Sequence, residues 1–332
     1  MSGRIVRTAL ACGAALVVLA ATAAGAADVT LPQDLTSGGV KWIGIENLEE
    51  SAGCTSLDHN IATGDYLPAY GPEEAEDNTA DDGFDSYAMV TIDGAYFLNP
   101  GDTADLNGQT LTSRTVDFSG VDVTVQHSAL TGQPILRTFV ALHNTTTEPV
   151  TKTVTFEQDL GSDSDTVVQT TSSGDDSWVT ADRWAITSQG DETPFGDPVI
   201  TTVLFGPGAV ASPQTNLYLC GDRWDLTHSA EASAKGDGVV ASAVANEAAQ
   251  TSASYFSVAI PAGATRYLAF FNAATDDTNV GVAEGLTALY NAGLTGPLAE
   301  GLTPEQVAAT VNWSEPIVER APEVILAPRF TG

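Results

Sequence analysis

Basic residues are scarce. Twelve lysines and arginines stand against 43 aspartates and glutamates, a net charge of −31. Such a field repels phosphate backbones and anionic lipid surfaces, so neither nucleic acid nor a membrane surface is an expected partner. Cysteine is scarcer, with three in the chain and no C-x-x-C spacing. Thiolate metal centres and thiol redox chemistry therefore have no sequence support. The four histidines, His59, His127, His143 and His228, show neither H-x-x-x-H nor H-E-x-x-H spacing. G-x-S-x-G is missing, and no acidic loop has the EF-hand spacing. There is also no internal repeat, no proline-rich linker and no long apolar run after the first twenty-odd residues.

That first run is the clearest positive signal. Arg4 and Arg7 precede an apolar stretch from Thr8 to Ala21, and Ala24-Gly25-Ala26 follows as a small-x-small cleavage site. The pattern predicts a secretory signal peptide over residues 1–26, of bacterial type, and a mature chain outside the cell. Ala9-Leu10-Ala11 before Cys12 is not a lipobox, so no lipid anchor is expected. Removing the leader takes away two bases and no acid, leaving ten bases, 43 acids and a net charge of −33. It also leaves an even cysteine pair, Cys54 and Cys220, expected to form a disulfide in an oxidising compartment. Closing a loop of 165 intervening residues would be worth roughly 5 kcal/mol in the chain-entropy model. Two separate buried thiols are the competing reading.

Glycine and proline are abundant in the rest, with many threonines, serines and aspartates, and short alternating apolar stretches lie between turn formers. This predicts a mainly β fold, a large antiparallel β-sandwich with two short C-terminal helices, in one domain over 27–332. Strands are expected at Val40–Ile45, Tyr87–Ile92, Ala95–Leu98, Val121–Val125, Trp178–Ile186, Val199–Phe205, Leu217–Cys220, Gly238–Ala245, Ser254–Ile260 and Arg266–Asn272. Asp93-Gly94 and Asn107-Gly108 are hairpin signals. Pro134 to Gly161 reads as a central hairpin, two alternating arms joined by Asn144-Thr145-Thr146-Thr147-Glu148-Pro149. In the last sixty residues Val282, Leu286, Leu289 and Tyr290 form a helical stripe ended by Gly293. Thr303-Pro304-x-Gln306 is a capping box opening a second helix, expected to run to Trp313 with Leu302 and Val307 as its staple.

The stretch VALHNTTTEPVTKTVTFEQDLGSDSD, with RYLAFFNAATDD further on, resembles galactose-mutarotase-like supersandwich domains. Such domains accompany or form carbohydrate-active enzymes, which implies a supersandwich-like fold and a carbohydrate-related role. The family's paired histidines and later glutamate are not reproduced by VQHSAL around His127 or ALHNTT around His143, so no catalytic residue carries over.

Candidate sites are few. Asp222, Arg223, Trp224 and Asp225 form one ligand-binding set, and Trp178, Arg183 and Trp184 a second. An indole can stack on a pyranose face while charged neighbours hydrogen-bond its hydroxyls. The competing reading makes these tryptophans core residues with local Asp–Arg pairs. Asp163, Asp165, Asp175 and Asp176 flank an acidic loop that could offer oxygens to Ca²⁺, against a plain solvated surface as the alternative. A second acidic loop runs from Gly71 to Asp85. The sequons at Asn144 and Asn312 carry little weight behind a bacterial leader.

The expected function is a secreted, non-catalytic sandwich binding carbohydrate or a cell-surface polymer. A carbohydrate-active enzyme and a structural matrix protein are the alternatives; oligomeric state is left open. One measurement bears on the acids directly. NaCl should raise the melting temperature by screening self-repulsion. A Ca²⁺ site would add to this at equal ionic strength, by about 2.7 kcal/mol at a hundredfold excess over Kd. Coincident melting curves in matched NaCl and CaCl₂ would remove the calcium reading.

Overall fold

In the computed structural model, which describes residues 26–31, 33–45, 83–84, 86–160, 166–189, 198–209, 215–216, 251–275 and 280–313, the central stretch does not fold back on itself. The strands, in chain order, are β1 (Ala27–Thr30), β2 (Gln33–Ser37), β3 (Val40–Ile45), β4 (Ser86–Ile92), β5 (Ala95–Tyr96), β6 (Thr103–Asn107), β7 (Thr110–Thr112), β8 (Val116–Asp117) and β9 (Val121–Ala129). They continue with β10 (Ile135–Asn144), β11 (Val150–Asp159), β12 (Thr166–Thr171), β13 (Trp184–Gln189), β14 (Val199–Val203), β15 (Thr215–Asn216), β16 (Thr251–Ile260) and β17 (Thr265–Thr275). β10 pairs with β9 and β17 in a ten-stranded sheet, ordered β1-β6-β7-β9-β10-β17-β14-β13-β12 with β8 on β9. β11 pairs with β16 and β4 in a five-stranded sheet, ordered β15-β16-β11-β4-β5. β2 and β3 form a separate hairpin.

The expected hairpin is therefore an arch between two antiparallel sheets, and residues 261–264 make a second arch from β16 to β17. Alternation alone could not tell these apart, because in either case one face of each arm meets the core. Leu136, Val140 and Leu142 face Val154 and Phe156 within one apolar cluster, where Phe156 stacks on Phe270 at 4.2 Å. Asn144 ties the two arches together. Its buried amide donates to Glu148 O, Ile260 O and Pro261 O at 2.8–3.2 Å, and its Oδ1 accepts from Thr146 N–H and hydroxyl.

Both short hairpins form. At Asp93-Gly94 both turn residues have positive φ, 53° and 80°, the primed turn that matches strand twist. In β6–β7 the register pairs Asn107 with Thr110, so the turn residues are Gly108 and Gln109 rather than Asn107 and Gly108. The expected strand over 178–186 begins only at Trp184. Leu217–Cys220, Gly238–Ala245 and both cysteines of the expected disulfide lie outside the described residues.

The helices, α1 (Val280–Asn291) and α2 (Pro304–Ala308), do not sit at the rim of the sandwich. They and the 3₁₀ turn Gly296–Ala299 cover the outer face of the large sheet. β17 is consequently buried on both sides: Leu268 and Phe270 face the small sheet, while Ala269, Phe271 and Ala273 face the helical layer. In α1 the buried stripe runs through Ala283 and Tyr290, and Val282 is exposed. No described helix is long and apolar enough to cross a membrane.

The capping box at Thr303 and Gln306 forms with both hydrogen bonds. The helix it opens ends at Ala308, well short of Trp313. Tyr267 explains the stop: its N–H donates to Ala309 O and its carbonyl accepts from Val311 N–H. Beyond Val203, β14 no longer covers this edge of β17. Residues 309–313 leave the helix to satisfy the exposed ladder.

Candidate functional site

The inner face of the sandwich changes character along the strands. Near the arches it is mostly apolar, with Val121, Val123, Val140, Leu142, Val154, Phe156, Val258, Ile260, Leu268 and Phe270, interrupted by the buried Asn144 and by Lys152, whose ammonium pairs with Asp93 at 2.8 Å. At the opposite end the same face carries Tyr87, His127, Thr138, Gln158, Thr202 and Asn272. Register places them there: Thr138 pairs with His127 and Thr202 with Asn272.

These side chains form two hydrogen-bonded groups. Thr138 Oγ1 lies 3.2 Å from both Tyr87 Oη and His127 Nδ1, which joins β4 of the small sheet to β9 and β10 of the large one. Gln158 Nε2 donates to Thr202 Oγ1, and Asn272 Nδ2 donates to Gln158 Oε1 at 2.7 Å. Asn272 is fully buried, and its Oδ1 accepts no hydrogen bond. Every one of these groups is uncharged at neutral pH. Burial pushes the Tyr87 phenol far up and holds the half-buried His127 imidazole down at about 4. Trp42, Phe84 and Tyr87 pack as an aromatic cluster beside this histidine, with centroid separations of 5.0–6.2 Å.

A histidine whose folded pKa lies below its unfolded value stabilises least where it must charge. Its contribution is present above about pH 6.5 and is lost as the pH falls through the folded value. His127→Gln should therefore shift the acid unfolding midpoint to lower pH. An unchanged acid limb by circular dichroism would contradict this.

The tight connections at 93–94, 118–120, 145–149 and 261–264 lie on the arch side.

The sequence-predicted residues fall elsewhere. Trp178 is buried in the inter-sheet core, and its Nε1 has no partner. Trp184 is buried in the other cluster, under α1, so the two indoles lie on opposite faces of the large sheet. Arg183 Nη2 donates to Asn291 Oδ1 at 2.7 Å, near the indole N–H of Trp184. Asp222, Arg223, Trp224, Asp225, Asp163 and Asp165 lie outside the described residues. Asp175 and Asp176 are exposed on the loop after β12. Hydrogen bonds from Ser177 N–H and the Thr171 hydroxyl hold the Asp175 carboxyl below the usual range. Among the described residues no three His, Cys, Asp or Glu side chains converge as a metal group would require.

Two acids were not singled out by sequence. Asp182 is buried and anchors its loop, accepting from the Ser172 hydroxyl, the Ser173 N–H and hydroxyl, and the Val179 N–H. Glu157 is buried on β11 with no partner for either oxygen. Burial holds its carboxyl well above the usual range.

No family model matches the chain, and no curated protein matches it. Among solved structures it is similar to a polysaccharide lyase at 11% identity and a TM-score of 0.32, over 79% of this chain and 35% of that one. It spans about a third of that lyase's length. A candidate aldose 1-epimerase from Klebsiella pneumoniae gives 8% identity and a TM-score of 0.32, over 80% of this chain and 92% of that one. These likenesses amount to a distant resemblance of fold, and nothing about the site rests on them.

Proposed function

We propose that the chain is an exported, non-catalytic β-sandwich protein that binds a neutral carbohydrate or cell-surface polymer at the polar end of the sandwich. The observation that carries this reading is the cluster of uncharged hydrogen-bonding side chains, Tyr87, His127, Thr138, Gln158, Thr202 and Asn272, at the end of the inner face away from the mostly apolar arches. Amides, hydroxyls and a neutral imidazole supply both donors and acceptors, which is what an array of sugar hydroxyls requires. The buried, unpartnered Asn272 Oδ1 favours a ligand that donates to it. The chain's charge favours a neutral ligand over a polyanionic one.

A glycan array on the mature chain tests this. Neutral glycans should bind, and Asn272→Ala should weaken binding by roughly tenfold, the worth of one hydrogen bond to a buried group. Asp175→Asn, on a remote loop, should leave it unchanged. Binding to no glycan, or equal loss in both variants, would overturn the proposal.

A further inference from the structure

The polar end is closed by the β2–β3 hairpin. The hairpin tip, Ser37 to Val40, sits on the turn between β9 and β10. Ser37 Oγ donates to Leu130 O, and Thr36 N–H donates to Gln109 Oε1 at 2.6 Å. Gly38 takes a left-handed φ of 60° and has no room for a Cβ, which would come within 2.2 Å of the Gln133 carbonyl carbon. One face of the hairpin is buried and the other exposed. Leu35, Val40 and Trp42 enter the inter-sheet core, while Asp34, Thr36 and Gly39 are exposed. The Trp42 ring lies 5.6 Å from Tyr87 and 6.2 Å from Phe84, and Tyr87 in turn lies 6.0 Å from the His127 ring.

The Trp42 Nε1–H is buried without an acceptor, as the Asn272 Oδ1 is buried without a donor. Each orphan group costs the closed form a hydrogen bond that water or a hydroxyl would supply. A ligand that reaches them must displace something, since Trp42 is 1% exposed and Asn272 is 0% exposed. β4, β9, β10, β11 and β17 are each held by sheet ladders. Among the described strands, β2 and β3 alone pair with neither sheet. Lifting the hairpin therefore breaks side-chain contacts and the hydrogen bonds at its tip. Parting any of those five strands would break a row of backbone bonds.

We propose that Trp42 is a ligand-binding residue carried on a lid: the β2–β3 hairpin lifts to admit a neutral glycan to the polar end, and the Trp42 Nε1–H then donates to one of its hydroxyls. The ligand contact rests on glycan binding at the polar end; the lid rests on the hairpin's own attachments. An indole suits this place, because its ring fills the core when the lid is down and its N–H serves the ligand. Opening then limits the association rate.

Iodoacetamide labelling of the mature chain, followed by peptide mapping, reads the lid without any glycan. Thr138→Cys, at the polar end, should react through lid opening, and Val121→Cys, near the arches, only through global unfolding; both native side chains are fully buried. In low urea the first rate should exceed the second by about tenfold or more and stay nearly flat, while the second climbs steeply, because lid opening exposes far less surface. Gly38→Ala, whose tip cannot seat, should speed Thr138→Cys labelling about tenfold; if that variant does not fold, Ser37→Ala should speed it roughly fivefold through the lost hydrogen bond. Equal rates with equal urea slopes, or a Thr138→Cys rate unmoved by the tip variants, would overturn the lid. Trp42→Phe keeps an aromatic ring and loses the donor, so neutral glycans on the array should bind it about tenfold more weakly. Unchanged binding would overturn the ligand contact. An array silent for the wild type would overturn that contact together with glycan binding at the polar end, and the labelling rates would still judge the lid.

Discussion

Replacing Arg137 with methionine is expected to destabilise the fold by about 3 kcal/mol, the order expected when a buried charge's partners lose their donor. Arg137 lies in β10, is 1% exposed and points away from the small sheet. Its Nη1 donates to Leu298 O at 3.2 Å and to Glu300 O at 2.7 Å, and its Nη2 donates to Ser128 Oγ at 3.2 Å. The guanidinium lies 5.7 Å from the Phe139 ring centre, and that ring stacks on Tyr267 at 4.9 Å. Burial lowers the Arg137 pKa to about 10, against the opposing pull of the Glu300 charge. Methionine fills the space but leaves two carbonyls without a donor. Lysine should rescue little, because one ammonium does not reproduce the planar fork. Urea unfolding should show the loss in both variants, with exchange at 296–300 accelerating first. Wild-type stability in Arg137→Met would contradict this assignment.

A loss of similar size is expected for Asn312→Ala, about 3 kcal/mol for two buried backbone groups, Leu204 O and Ala269 N–H, left unpaired. Asn312 Nδ2 donates to Leu204 O at 2.9 Å and Ala269 O at 2.8 Å, and its Oδ1 accepts from Ala269 N–H at 2.9 Å. One side chain thus stands in for the strand that β17 lacks past Val203. Trp313 supports it, donating Nε1 to Ala269 O at 2.7 Å and packing edge-on against Phe271. The Trp313 ring leaves no room for a Cβ at Gly206, where one would come within 2.2 Å. Asn312→Asp should be worse than alanine, since it turns two donors into acceptors facing carbonyls. Equal stability of Asn312→Ala and wild type would show that the C-terminal segment does not hold this edge. Asn312 and Asn144 also head the chain's two glycosylation sequons, and both amides are buried and fully engaged.

Features set by a few neighbouring residues were legible in the sequence. The capping box at Thr303, the Asp93-Gly94 turn and the alternation of β9, β10 and β11 depend on local geometry, and each formed. What could not be read was which alternating arm meets which. The arms around Asn144 carry the same pattern whether they pair or arch, and only the long-range partners β17 and β16 decide. The two tryptophans show the same limit: Trp178 and Trp184 stand six positions apart with similar neighbours, yet one enters the inner core and the other lies beneath α1. The polar end was invisible for the same reason. Gln158, Thr202 and Asn272 are unremarkable apart, and only the register of three strands brings them together.

The most direct test of the polar end is an amide shift map of the ¹⁵N-labelled mature chain, titrated with whichever glycan binds best on the array. Shifts are expected at 86–89, 127–129, 135–138, 157–159, 200–202 and 272–275, with the arches at 145–149 and 261–264 unmoved. Shifts centred on the arches or on α1, with the polar end silent, would contradict a binding site there.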